Sequence, residues 1–285
     1  MNVEVAPTVT NTPRRDPPVF LIGVHRRCGS NFVADLLRLM PEFQLPNPIS
    51  EDYLLEHAKL LVEYAERTAE EQYRKRFPDE AAFAACKAQL LGELGEGLLR
   101  FLYSFLEPEK RLLTKTPDPW GLAHFRRLFP DCLLVLLVRD GRDVVESACR
   151  SWPHEPAKTW MHSWAQNARE ILAFLDGLSP DDKERTLLVR YEDLLAGREE
   201  VERLVRFVGG DPAEFPWKKL DSMPVRGSSD VRVKEGELHW KPVDKPKDFK
   251  PVGRWQSWSY WKKRQFKKIA GRELIALGYV SDDRW

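Results

Sequence analysis

The 285-residue chain offers little that points to a metal, a disulfide framework or a polyanion. Its four cysteines, Cys28, Cys86, Cys132 and Cys149, show no CxxC spacing, and no histidine cluster accompanies them. Neither a zinc site nor a disulfide scaffold is indicated, and a reducing, cytoplasmic setting is expected. Charge of one sign is also missing. The 45 basic and 44 acidic residues leave a net charge of +1, which gives no global attraction to nucleic acid or to an anionic membrane. Any anion site must therefore be local. No apolar run is long enough to span a bilayer, and residues 1–16, with Pro7, Thr8, Thr10, Thr12 and Pro13, carry no signal-peptide core. They read as a disordered leader ahead of a single domain over 17–285.

Against these absences stand 42% hydrophobic residues with 10 Trp and 14 Phe, enough to fill a sizeable core. The segment from Val19 to Leu37 organises the reading of the rest of the chain. Val19 to Ile22 is a short apolar run bounded by Pro17, Pro18 and Gly23, and reads as a buried strand. Gly29, Ser30 and Asn31 permit a tight turn and a helix start, after which Phe32, Val33, Leu36 and Leu37 recur at helical spacing. A helix start of this kind presents free N–H groups and partial positive charge, and so favours a phosphate. Arg26 and Arg27 lie in the same loop. The loop is not a Walker A loop, because five residues separate Gly23 from Gly29 and Ser30 stands where Lys is needed. Alone, the segment also has a blander reading, a strand turning into a core helix beside two exposed arginines.

Further along, a proline-spaced connection from Pro41 to Pro48 leads to Ser50, Glu51 and Asp52. Ser50 is expected to cap a helix with Leu54, Leu55, Ala58, Leu61, Val62 and Ala65 on one face. A second helix is expected from Glu80 to Leu106, with Phe83, Cys86, Leu90, Leu94, Phe101 and Phe105 inward. This pair, 54–106, reads as a helical insertion that shapes a substrate cleft. Leu112 to Thr116 reads as a strand ended by Pro117, Trp120 to Phe129 as a short helix, and Cys132 to Val138 as a central parallel strand buried on both faces. Arg139 follows that strand at the place where a Walker-type nucleotidase carries a magnesium-holding Asp, which suggests an anion rather than a metal. Arg139 and Ser147 could together take a phosphate. A surface ion-pair cluster of Arg139, Asp140, Arg142 and Asp143 is the competing reading. The Trp160, Met161, Trp164, Ala168, Ile171, Leu172 and Leu175 face reads as core, and Lys262 to Lys268 as solvated surface.

The segments RRCGSNF (26–32) and LLVLLVRDGRDVVES (133–147) resemble the two cofactor signatures of sulfotransferases that use 3′-phosphoadenosine 5′-phosphosulfate, PAPS. KTP at 115–117, VRYEDLL at 189–195, RGSS at 226–229, GRW at 253–255 and LGY at 277–279 follow in the family's order, so the resemblance covers about 18–280. It implies an α/β fold with a central parallel sheet, a P-loop-like phosphate-binding loop, helices on both faces and the helical insertion after the first βα unit. It further implies PAPS as donor, adenosine 3′,5′-bisphosphate as product, and no required metal. Arg26, Arg27, Cys28, Gly29, Ser30, Asn31 and Phe32 would wrap the 5′-phosphosulfate. Cys28 and Asn31 depart from the family's common Ser and Thr, and Arg27 in place of Lys is closer to the carbohydrate and tyrosylprotein branches than to the cytosolic phenol and steroid branch. Arg139 and Ser147 would hold the 3′-phosphate, Tyr191 would lie near the adenine, and Lys250, Gly253, Arg254 and Trp255 would belong to a covering loop within the loop-rich segment 221–252 and its continuation.

Sulfuryl transfer needs a base for the acceptor hydroxyl and cations for the charge that develops. Arg27 and Lys115 are the expected cations, each at the end of a strand. Glu51 is the expected base by its likeness in position to the glutamate of the carbohydrate and tyrosylprotein branches, with Asp52 and His57 as substitutes. A hydroxylated small molecule or a carbohydrate is the expected acceptor, with no nucleic acid or membrane partner. A nucleotide kinase or other P-loop phosphotransferase, and a non-catalytic nucleotide-binding protein, remain the competing functions.

Overall fold

The computed structural model describes residues 16–227, 229, 242–245, 249–282 and 284–285. The expected leader lies outside them except for its last residue, as do His239, Trp240 and much of the expected covering segment. Five strands form the sheet: β1 (Val19–Gly23), β2 (Phe43–Gln44), β3 (Arg111–Thr116), β4 (Leu133–Val138) and β5 (Thr186–Arg190). All pairings are parallel, in the order β2-β3-β1-β4-β5. β1 and β3 are buried at every position, and β4 at all but Leu133; β1 and β4 are accordingly continuous apolar runs rather than alternating ones, whereas β3, RLLTKT, carries Arg111 and Lys115 as buried, partnered cations. Ile22 sits opposite both Thr116 and Leu136, so the carboxyl ends of the three inner strands lie level. The chain leaves β1 toward the β3 side and later crosses to the β4 side, which makes that level edge the crevice of the sheet.

The helices surrounding the sheet are α1 (Ser30–Leu37), α2 (Ala58–Thr68), α3 (Glu80–Tyr103), α4 (Phe125–Leu128), α5 (Gly141–Ser151) and α6 (Ala157–Asp176). They continue with α7 (Pro180–Glu184), α8 (Tyr191–Ala196), α9 (Arg198–Phe207), α10 (Trp217–Asp221) and α11 (Tyr260–Ala276). α6 packs against α5 and α11 and buries Met161, Trp164, Ala168 and Ile171, the expected core face.

Three local expectations need correction. The Pro41–Pro48 connection contains the edge strand β2, whose two residues are too few to leave a periodic signal. The helix expected after Ser50 begins only at Ala58, and Ser50 does not cap it, because residues 51–57 are drawn into turns. On α3 the buried residues are Phe83, Leu91, Gly95, Leu99 and Leu102, whereas Phe101 is 49% exposed. Gly95 explains the shift. Its backbone lies against the Leu128 carbonyl, where any Cβ would collide, so a residue without a side chain sets the contact face of the helix.

Candidate active site

The site is built first from two strand-to-helix turns. Beyond Gly23 the chain reverses through Arg27 (φ 75°) and Gly29 (φ 99°) into α1. Gly29 lies flat against the Tyr191 ring, which leaves no room for a Cβ. No side chain caps α1, and its first turn holds no acid. Gly29, Ser30, Asn31 and Phe32 line a cavity of about 350 Å³, where the open helix start favours an anion. At the end of β4, Asp140 caps α5 through the Arg142 N–H at 2.9 Å. Arg139, just before it, is 5% exposed and also lines the cavity. It donates to the Arg27 carbonyl at 2.7 Å and to the Pro251 carbonyl, and its guanidinium carbon lies 4.6 Å from the Tyr191 ring centre. Arg139 Nε is buried without a partner. Ser147 Oγ accepts from Arg27 Nε at 3.2 Å and lies 3.2 Å from Ser229 Oγ, which in turn accepts from Arg254 at 2.9 Å. Ser147 and Arg139 are therefore cavity groups.

Residues 139–143 do not form a surface cluster. Arg142 pairs with Asp140 at 2.7 Å, both buried, and its guanidinium lies 3.7 Å from the Trp255 ring centre and 4.5 Å from that of Trp285. Asp143 faces the other way. Its carboxylate accepts the N–H groups of Gly253 (2.7 Å), Arg254 (2.7 Å) and Trp255 (3.3 Å), which fastens the 253–255 turn to α5. Burial pushes the Asp143 carboxyl above its ordinary value in spite of those bonds. From this segment Phe249, Pro251 and Arg254 line the cavity; Lys250, Gly253 and Trp255 do not, because Trp255 is turned onto Arg142. Cys28 does not line it either. Its thiol is fully buried against Gly23, and burial pushes it up to about 11.

The other end of the cavity is assembled from β3 and the connection after β2. Lys115, 5% exposed, donates to Glu51 Oε1 at 2.6 Å and to Asn31 Oδ1 at 2.6 Å. Glu51 Oε2 accepts from the Tyr53 hydroxyl at 2.9 Å. Both Glu51 and Tyr53 line the cavity, and Lys115 stands directly behind them. Asp52 and His57 do not line it. Asp52 is a structural anchor: Oδ1 accepts the Leu54 N–H at 3.1 Å, Oδ2 accepts the Thr116 hydroxyl at 3.2 Å, and burial pushes the carboxyl up. No residue of α2 or α3 reaches the cavity wall, so the expectation that these helices shape the cleft is not met there.

A family model described as "Sulfotransferase family" matches residues 17–213, well over half of the chain. The chain belongs to the sulfotransferase family. No curated protein sequence matches it. Among solved structures, mouse sulfotransferase SULT7A1 complexed with PAP superposes with a TM-score of 0.52 at 13% identity, over 93% of this chain and 87% of that one. Retinol dehydratase in a complex with retinol and PAP gives 0.51 at 16% identity, over 93% and 83%. The sulfotransferase domain of the Synechococcus PCC 7002 olefin synthase gives 0.51 at 19% identity, over 92% and 96%. At these identities the likeness is one of fold.

The site of this sulfotransferase is also braced by residues to which the sequence assigned no role. Asp118, 3% exposed, accepts from Arg26 Nε at 3.1 Å and from Asn167 Nδ2 at 3.3 Å, and so fixes Arg26 at the cavity edge. His25 is buried, within 3.0 Å of Ser163 Oγ and 2.8 Å of the Arg26 carbonyl, and burial pushes its pKa down, so it braces the loop as a neutral ring. Arg226 forms a bidentate pair with Asp35 (2.7 and 2.8 Å) on the opposite wall. These partners lie 92 (Arg26–Asp118), 49 (Asp118–Asn167), 138 (His25–Ser163) and 191 (Asp35–Arg226) positions apart in sequence, which is why no local pattern announced them.

Proposed function

We propose that this sulfotransferase takes a sulfuryl group from PAPS and passes it to a hydroxyl of a small-molecule or carbohydrate acceptor, leaving adenosine 3′,5′-bisphosphate. The observation that carries the reading is the convergence on one cavity of the open α1 start, Arg27, Arg139 and Ser147 at one end and Glu51 backed by Lys115 at the other. The residues suit such a nucleotide. A buried guanidinium N–H without a protein partner, Arg139 Nε, is the kind of group that a ligand satisfies, and Gly29 keeps the floor of the cradle free of side chain. The PAP in mouse SULT7A1 and in retinol dehydratase supports the same choice.

Bound PAPS supplies an activated sulfuryl group on a phosphate leaving group. In this reading Arg139 and Ser147 hold the 3′-phosphate, and the N–H groups at the α1 start with Arg27 hold the 5′ end. Lys115 and Arg27 supply fixed positive charge where negative charge grows. Glu51 takes the proton of the acceptor hydroxyl at Oε2, the oxygen not held by Lys115. A reducing compartment such as the cytoplasm is part of this reading.

The test is a melting experiment. Adenosine 3′,5′-bisphosphate is expected to raise Tm much more than AMP does, and equal shifts would remove the 3′-phosphate assignment. Stabilisation by ATP with magnesium alone would restore the kinase reading. PAPS turnover over a panel of hydroxylated compounds is expected to survive EDTA, since the side chains supply the positive charge. Nucleotide binding without turnover on any acceptor would favour the non-catalytic reading.

A further inference from the structure

We infer that Tyr53 is a positioning residue for Glu51: its phenol hydroxyl holds the carboxylate oxygen that faces the cavity and so fixes where an acceptor hydroxyl must sit. The inference rests on the reading of Glu51 as the base. Its starting point is the backbone. Tyr53 has φ 47°, a left-handed conformation that an aromatic L-residue rarely adopts. Asp52 enforces it from both sides, by accepting the N–H of Leu54 and the hydroxyl of Thr116 on β3. The outcome is a half-buried ring on the cavity wall, with its hydroxyl 2.9 Å from Glu51 Oε2. Strain held in place at a cavity wall is a pointer to function, and here it aims one hydroxyl at one oxygen.

The two oxygens of Glu51 have different partners. Oε1 is committed to Lys115, which is buried and further tied to Asn31. Oε2 is left for substrate, and Tyr53 occupies one of its lone pairs. An acceptor hydroxyl can take the other without displacing either partner. Tyr53 stays a donor throughout, because burial and the Glu51 charge both push its phenol pKa up. The charged groups facing the pair are Lys115 from β3, Arg26 from the loop after β1 and Asp118 from the turn after β3. By donating to Oε2, Tyr53 fixes the direction of the oxygen that an acceptor hydroxyl must meet.

The test reads Glu51 directly. Glutamate carboxyl carbons are labelled with carbon-13 in the full chain loaded with adenosine 3′,5′-bisphosphate, and the Glu51 resonance is assigned by its loss in Glu51→Gln. At one fixed pH, Tyr53→Phe should shift the Glu51 carboxyl resonance and lower kcat by about tenfold with the KM for PAPS nearly unchanged, because the hydrogen bond that positions Oε2 is gone. Placing 3-fluorotyrosine, a stronger donor of nearly the same shape, at position 53 should shift the resonance in the opposite sense by a smaller step. A Glu51 resonance unchanged in both proteins overturns the inference. If Tyr53→Phe loses its thermal response to the nucleotide, the fluorotyrosine protein alone decides. The base reading fails separately: if Glu51→Gln turns over PAPS at the wild-type rate, that reading falls and this inference falls with it. If Glu51→Gln is inactive and the Glu51 resonance is unmoved by the changes at position 53, only the role of Tyr53 falls.

Discussion

At the end of the cavity lined by Arg139 and Ser147, the groups come straight from the two strand-to-helix turns at β1 and β4, and Arg139 bonds to backbone carbonyls and a tyrosine face rather than to a carboxylate. At the opposite end Lys115 is matched by Glu51, and the pair is closed by a tyrosine in a strained backbone. Arg139 keeps its positive charge for a ligand, whereas the second end balances charge within the protein and leaves one carboxylate oxygen facing the cavity. Binding and proton transfer call for these different arrangements: a preformed cationic cradle for an anion, and a carboxylate whose charge is held in place but not shielded from substrate.

The sharpest way to break the comparison is Glu51→Gln. It keeps size and removes basicity, so kcat is expected to fall by about 10² to 10⁴ while the affinity for adenosine 3′,5′-bisphosphate stays nearly unchanged. Steady-state kinetics beside calorimetric titration check both halves. A parallel loss of nucleotide affinity would mean that the two ends are not separate. Arg139→Ala probes the other end. Loss of one charged hydrogen-bonding partner, typically about 1.5 to 3 kcal/mol, should weaken nucleotide binding by roughly ten- to a hundredfold, with AMP much less affected. Asp143→Ala is a milder test of the same end. Three N–H groups of the 253–255 turn lose their acceptor, and stopped-flow release of the bisphosphate should become about tenfold faster, with chemistry unaltered.

How much of this was legible in the sequence follows the same division. The Arg139 end could be read because its groups are contiguous with a strand, a turn and a helix: GSN opens α1, and RDGRD lies between β4 and the body of α5. The other end was legible only as the acidic stretch at Glu51. Nothing local distinguishes Glu51 from Asp52. What separates them is that Thr116 lies across the crevice from one and Lys115 from the other, a matter of β3 register. Tyr53 depends on a left-handed residue that no periodicity encodes, and Asp118 meets Asn167 across 49 positions. The α3 face was misread for a related reason, since Gly95 marks the contact by lacking a side chain.

The smallest expected effect separates Asp52 from Glu51 through stability. Burial pushes the Asp52 carboxyl above its ordinary value, and this outweighs the bonds from Leu54 and Thr116. A carboxyl that binds its proton more tightly when folded gives its full contribution to stability below the unfolded value, about pH 4, and loses it as pH rises through the higher folded value. Asp52→Asn keeps an acceptor for the Leu54 N–H and offers Thr116 an amide donor, while removing the charge that must be desolvated. The difference in Tm, variant minus wild type, should therefore grow more positive from about pH 4 to pH 7, by a few degrees at most. Turnover should remain within about threefold of wild type. An inactive Asp52→Asn beside an active Glu51→Gln would exchange the two roles, and a Tm difference that shrinks with rising pH would show that the Thr116 and Leu54 bonds, not burial, govern this carboxyl.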